Sequence, residues 1–469
     1  MLKGLEISEV RLKDVVSADE SFRIDAEYFQ KNYLAYLQKI LSRHGVQLEN
    51  VCHFMIGPFG SAYDTSNYVE KSNYRYIRGQ DVKPFFLAES EPRFMTEQDF
   101  VRLQKYALRE EDLLISVVGT LGNACIVHET ELPAIFSCKS TAVRPHSINA
   151  YYLLAYLNSR YGRELLLRKE RGAIQKGLNL DDLKSLDLPQ FTNSFYSHVE
   201  IVVKSAYAKI CEANKTYREA EQMLLAELGF AGWLPTQESV SIKNCSDFFA
   251  AGRFDAEYFQ PKYDELFALL DKCKTRSLGG KTGLVDIQRS IEPGSDAYSD
   301  KGIPFVRIAD FTEMGITTPE IHIPPEICAD SPRPKKDTIL LSKDGSVGIA
   351  YKVEEDLDVV TSSGILHLRV KDTEVLPDYL TLVLNSKIVR LQAERDAGGS
   401  IIQHWKQSEI ERVRIPLLPL SRQRAIADKV QSSFALRAES KRLLDLAKHA
   451  VETAIEQGEE KVMFLKEMQ

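Results

Sequence analysis

The sequence predicts a mixed α/β (α+β) fold built twice over, with two long helices packed as an antiparallel coiled coil. Three observations carry that reading. Arg23-Ile24-Asp25-Ala26-Glu27-Tyr28-Phe29-Gln30 returns, 230 positions on, as Arg253-Phe254-Asp255-Ala256-Glu257-Tyr258-Phe259-Gln260. Apolar strand segments and glycine turns then follow each copy in the same order. After each set comes a long stretch with apolar residues at steps of three and four. An internal repeat of this size settles the architecture before any single motif does.

The first half supplies its elements in order. Tyr76-Ile77-Arg78-Gly79-Gln80-Asp81 matches Phe305-Val306-Arg307-Ile308-Ala309-Asp310, and each reads as a strand end followed by a turn. The segment Asp112 to Ala124 aligns with Asp337 to Ala350 across a one-residue gap. Both spell an apolar strand, then Ser-x-x-Gly-[Ser/Thr]-x-Gly, then another strand; the glycines allow a tight turn and close backbone approach. Leu157-Asn158-Ser159 and Leu384-Asn385-Ser386 each end a short amphipathic helix. Gly172-Ala173-Ile174-Gln175 matches Gly399-Ser400-Ile401-Ile402, helix starts follow at Asn179 and Gln407, and the halves close on Leu188-Pro189 and Ile415-Pro416.

From Ser194 to Leu228 there is neither Gly nor Pro, and Val199, Val202, Ala206, Ile210, Tyr217 and Leu224 fall on one face. A helix of this length spans about 50 Å, and Gly229 ends it. The matching segment begins at Ser421, an N-cap residue after Pro416–Pro419, and carries Val430, Phe434, Leu444 and Val451; its seam thins between Arg437 and Arg442. The two seams either pack on each other or each covers its own domain. The expected division is 1–193, 194–232, 233–420 and 421–469: domain, helix, domain, helix.

Composition bounds the function. The 469 residues, 44% hydrophobic and 27% charged, suffice for several cores. No run of about 18 apolar residues occurs, so no membrane span is expected, and Met1 to Glu6 lack a signal-peptide core. Seven scattered cysteines without a C-x-x-C pair suggest reduced thiols in a cytoplasmic protein. The net charge of −7 argues against a uniformly basic nucleic-acid binder, although it can conceal a basic face.

Catalytic motifs are missing from the sequence. Gly280-Lys281-Thr282 has Thr275 where a phosphate loop needs its first glycine. His198-x-Glu200 lacks the P-C-x-x-C that a zinc deaminase requires. No Rossmann fingerprint, nucleophile elbow or methyltransferase tetrapeptide is found. The expectation is a chain that binds and does not catalyse, with no metal or cofactor of its own.

The order of these elements, present twice, resembles the specificity subunit of type I restriction–modification systems, over essentially the whole chain. The second copy, Leu417-Leu418-Pro419-Leu420-Ser421-Arg422-Gln423-Arg424, is similar to the usual Pro-Pro-Leu-x-x-Gln helix entry; the first has Phe191-Thr192-Asn193 there. The resemblance implies two target-recognition domains separated by the long helices, each reading one half of a bipartite asymmetric site in double-stranded DNA. It implies that the helices fix the spacer and dock methyltransferase (modification) subunits, with restriction subunits joining the complex. S-adenosylmethionine and ATP are then expected on those partners. A type IIB-like specificity subunit and a non-catalytic protein-interaction scaffold remain the alternatives.

Bidentate donors on loops distinguish bases in the major groove. The candidate readers are therefore Arg75, Arg78, Gln80, Lys139, Gln175 and Lys176 in the first domain and Arg307, Lys343, Gln403, His404 and Lys406 in the second. Arg171, Lys335 and Lys336 are candidates for phosphate contact. Arg78 and Arg307 recur at equivalent positions, which suits scaffold or phosphate better than base identity, with Asp81 and Asp310 as partners. Tyr63, Tyr68 and Tyr298 could stack on a base, but packing is the plainer expectation. The repeated opening motif reads as structural, with Asp25 and Asp255 capping and the aromatics packed inward.

Overall fold

Leu113-Leu114-Ile115 is fully buried, as is Ile339-Leu340-Leu341, so these strands are covered on both faces and read as unbroken apolar runs. In the computed structural model, which describes residues 8–18, 23–88, 92–172, 176–238, 240–399 and 403–462, each forms the inner part of a four-stranded antiparallel sheet. The chain divides into two compact units, Met1–Lys209 with Ala438–Gln469, and Ile210–Arg437. These compact units divide each long helix near its middle.

In the first unit the sheet order is Cys52–Ile56, Ser140–Pro145, Leu113–Ser116, Ala124–Ile126. A three-stranded sheet runs Arg93–Met95, Tyr74–Ile77, Ala134–Phe136, with its last pair parallel. Leu113 and Ile115 join a large core with the helix Ala150–Asn158, while Leu114 faces a smaller one with Ile77 and Phe136. The central strand thus serves two cores. The helix Ala150–Asn158 is buried from Ala150 to Leu157, so the expected amphipathic helix is an interior one.

The second unit repeats the connectivity. Its sheet order is Val285–Arg289, Ile365–Val370, Ile339–Ser342, Ala350–Lys352, and its three-stranded sheet is His322–Ile323, Ile303–Val306, Val360–Thr361, again with one parallel pair. Ile339 and Leu341 face the large core and Leu340 a smaller one. The units differ at their margins: the second adds the hairpin Phe311–Thr312 with Gly315–Ile316, and the first adds the helix Glu97–Arg102.

The long helices run Asn193–Glu227 and Leu420–Gln457. Thr192 accepts from Phe195 N at the first helix start, and Gly229, at φ +76°, ends it. Ser421 was expected as the N-cap of the second. That helix instead begins at Leu420, and Pro419 O accepts from Arg422 and Gln423. Ser421 lies inside the first turn because the proline already supplies the entry geometry.

Within each unit the helix halves pair antiparallel. In the first, Ser440 Oγ donates to Ala206 O at 2.8 Å, and Thr192 Oγ1 donates to Glu459 Oε2. In the second, Ser433 Oγ donates to Ala213 O at 2.8 Å, and Lys429 pairs with Glu219 at 2.7 Å. Val199, Val202, Val203 and Ala206 share the large core of the first unit with Ala447 and Val451. Tyr217, Leu224, Ile426 and Val430 share that of the second. Each helix half therefore packs on its partner and also covers its own sheet. The helix continues through Arg437–Arg442 because Ser440 is buried in the seam as a hydrogen-bonded polar residue.

Candidate nucleic-acid interface

The repeated motifs form a duplicated internal framework. Arg23 holds Asp25 at 2.8 Å, donates to Glu170 O and lies over the Tyr28 ring. Arg253 does the same with Asp255, Asp396 O and Tyr258. These clips hold both aspartates below the usual carboxylate range, chiefly through the arginine hydrogen bond. Tyr28 N donates to Asp25. Asn158 Nδ2 reaches Ala124 O at 3.0 Å and Asn385 Nδ2 reaches Ala350 O at 2.8 Å, each tying a helix end to the hairpin strand. Tyr152 and Tyr379 donate their hydroxyls to Pro189 O and Pro416 O.

The glycine turns are matched atom for atom. Gly119 and Gly122, like Gly345 and Gly348, lie at positive φ. Ser116 Oγ donates to Thr120 O and accepts from Asn123 N; Ser342 Oγ donates to Ser346 O and accepts from Ile349 N. A returning loop bridges onto each turn, Gly177 onto Val118 and His404 onto Asp344.

This turn region gathers some of the candidate readers. In the first unit Gly79 lies so close to Lys139 that an added Cβ would meet the lysine Cβ at 2.6 Å. Lys139 O accepts from Val117 N, and the bridge from Val118 to Gly177 brings in Lys176. Gln80 and Lys139 are exposed, with no side-chain partner among the described residues. Lys176 pairs with Glu170. Gln175 lies outside the described residues. In the second unit Gly345 N donates to Gln403 O and Trp405 N to Lys343 O. Lys343, Gln403 and His404 are thereby brought together, with Lys406 beside buried Trp405.

Other candidates sit differently. Arg75 is 16% exposed and committed to Glu131 and Ala88 O. Arg78 folds back on Asp81 at 2.7 Å and Arg307 on Asp310 at 3.1 Å, so both brace their own turns. Arg171 pairs with Asp182 at 2.8 Å and fixes the returning loop. Lys335 and Lys336 precede the strand Ile339–Ser342, whereas Lys343 follows it; the two groups lie at opposite ends of that strand. Lys335 and Lys336 line a groove of about 380 Å³ with Arg333, His367 and Arg369. Tyr63, Tyr68 and Tyr76 pack together at 4.8–5.9 Å between ring centres, and Tyr298 packs on Phe305.

The seam residues separate by depth. Val199, Val202, Ala206, Tyr217, Leu224, Val430 and Val451 are buried, while Ile210, Phe434 and Leu444 are half-buried. Sequence reasoning missed Gln423, which is fully buried and satisfies three groups: Nε2 donates to Glu374 O and Leu418 O, and Oε1 accepts from Leu376 N. Its place in the helix-entry motif was the available signal. Gly280-Lys281-Thr282 forms a turn whose Gly280 carbonyl accepts from Lys371.

Residues 282–445 match the family described as the type I restriction modification DNA specificity domain. That stretch, about a third of the chain, is similar to a type I specificity domain. The match spans the sheets, glycine turn and helix entry of the second unit, and the same connectivity recurs in the first. No curated protein matches the sequence. Among solved structures, the S subunit of a type I restriction–modification system from M. genitalium is 13% identical, covering 88% of this chain and 94% of its own, at a TM-score of 0.39. The HsdS subunit from Thermoanaerobacter tengcongensis is 17% identical, covering 88% and 96%, at a TM-score of 0.29. A structure described as bearing on assembly and conformational transition of the type I system is also 17% identical, covering 88% and 97%, at 0.28. No helix, among the described residues, is long and apolar enough to cross a membrane.

Proposed function

We propose that the chain is the DNA-reading, non-catalytic subunit of a type I restriction–modification complex, each unit recognising one half of a bipartite target. The observation that carries this is the specificity-domain match on a framework that recurs in the first unit with different residues at the turn. Equivalent scaffolds with different exposed side chains suit two different half-sites. The paired long helices set the spacer and dock the methyltransferase subunits, which bring S-adenosylmethionine; restriction subunits bring ATP. Two modules on one chain raise specificity through effective concentration, provided the span is fixed.

The test is enrichment of randomised duplex DNA by the full chain with its methyltransferase. A bipartite motif with a constant gap is the expected result, and no enriched motif refutes the proposal. Deleting seven matched residues from each long helix keeps the seam in phase. The expected result is an altered gap with both half-sites retained; an unchanged gap overturns the spacer role.

A further inference from the structure

We propose that His404 reads an exocyclic amino group, adenine N6 or cytosine N4, in the half-site of the second unit. The assignment rests on the DNA-reading function above and deepens it. His404 Nδ1 lies 2.8 Å from Asp344 Oδ1, and the other carboxylate oxygen of Asp344 is held by Lys343. An ionised carboxylate only accepts hydrogen bonds, so Nδ1 carries the hydrogen. A ring whose single N–H is given to Asp344 presents Nε2 as a bare acceptor. Phosphate oxygens, guanine O6 and N7 and thymine O4 also only accept, so neutral His404 has no bond to offer them. The major-groove donors are the adenine and cytosine amines.

The side chain is presented for this task. His404 is 63% exposed, whereas its neighbour Trp405 is buried and anchors the loop. The His404 backbone is fixed on both sides, N donating to Gly398 O at 2.7 Å and O accepting from Gly398 N. The scaffold does not require the charged trio. In the first unit the same bridge joins Val118 to Gly177, with Val117 where the second has Lys343. Lys343, Asp344 and His404 are therefore an addition to the common turn, made where the two units must differ.

The full chain with its methyltransferase would be used to enrich randomised duplexes, comparing wild type with His404→Ala, His404→Arg and Asp344→Ala. His404→Ala is expected to relax one position of one half-site about fivefold, the value of one hydrogen bond, with thermal unfolding unchanged. His404→Arg should shift that position toward guanine, and Asp344→Ala should relax the same position by freeing the ring. An unaltered motif in His404→Ala, or uniformly weaker binding at every position, overturns the assignment while leaving the DNA-reading function standing. Absence of any motif in the wild type overturns both.

Discussion

Ser440 donates its hydroxyl to the backbone carbonyl of Ala206, 2.8 Å away on the facing helix. A serine side chain reaches a neighbouring helix backbone only where the axes approach closely, and Ala206 has no bulk to hold them apart. Ser440→Ala is expected to lose about 1 kcal/mol, one hydrogen bond, because the Ala206 carbonyl keeps its own helical partner. Ser440→Leu should cost more, about 1–3 kcal/mol through overpacking. Urea unfolding separates the two; equal stability for Leu and wild type would show that the seam is loose.

The arginines that brace turns should behave unlike their exposed neighbours. Asp81 is 3% exposed and tied to Arg78. Arg78→Ala leaves that carboxylate with one fewer partner and is expected to destabilise by about 2 kcal/mol, below a fully buried pair because Arg78 is partly solvated. Gln80→Ala should leave stability within about 0.5 kcal/mol and alter the enriched motif. Thermal melts and motif enrichment of both variants check this; a motif change in Arg78→Ala without destabilisation would contradict the assigned roles.

Acid should weaken the fold through two histidines. Burial pushes His128 and His367 down to about 4, against about 6.5 in an unfolded chain. His128 stacks on Tyr207 at 3.4 Å, and His367 sits 2.9 Å from Thr361. Between those values only the unfolded chain takes up the protons. Stability is therefore full above pH 6.5 and falls as pH drops toward 4, by up to about 3 kcal/mol per histidine. His128→Phe should keep the stack and flatten its share of that slope, as read from urea midpoints across pH.

Lys335 and Lys336 should not specify bases. They stand at the far end of the central strand from Lys343, and Asp356 pairs with Lys335 while accepting from Lys336 N. Replacing both with Ala is expected to leave the enriched motif intact. At most the salt dependence of binding should become shallower, by about one to two phosphate contacts. A changed base preference would move the reading surface to that groove.

The framework was largely legible because it is written twice. The strands, the glycine turns, the Asn-Ser helix ends and both long helices all follow from aligned residues. What escaped has physical reasons. Ser433 and Ser440 are polar by composition, so apolar periodicity breaks at the two positions where the helices meet through a hydroxyl. Residue type makes Arg75 a candidate DNA reader, but Glu131 and Ala88 hold it inside. Lys336 and Lys343 are seven residues apart in sequence, yet an intervening strand carries them to different ends of the sheet. The pairing of His404 with Asp344 joins residues 60 apart, a distance no local pattern bridges.

The turn that accepts either Val118 with Gly177 or Asp344 with His404 has an evolutionary consequence. Its backbone bonds, serine latch and glycine conformations are complete in both versions, so folding places little demand on which side chains it displays. Substitutions there can change the displayed side chains without first passing through an unstable intermediate. Under the proposed DNA-reading role, the mutations that change recognition at least cost to stability would concentrate at this one loop.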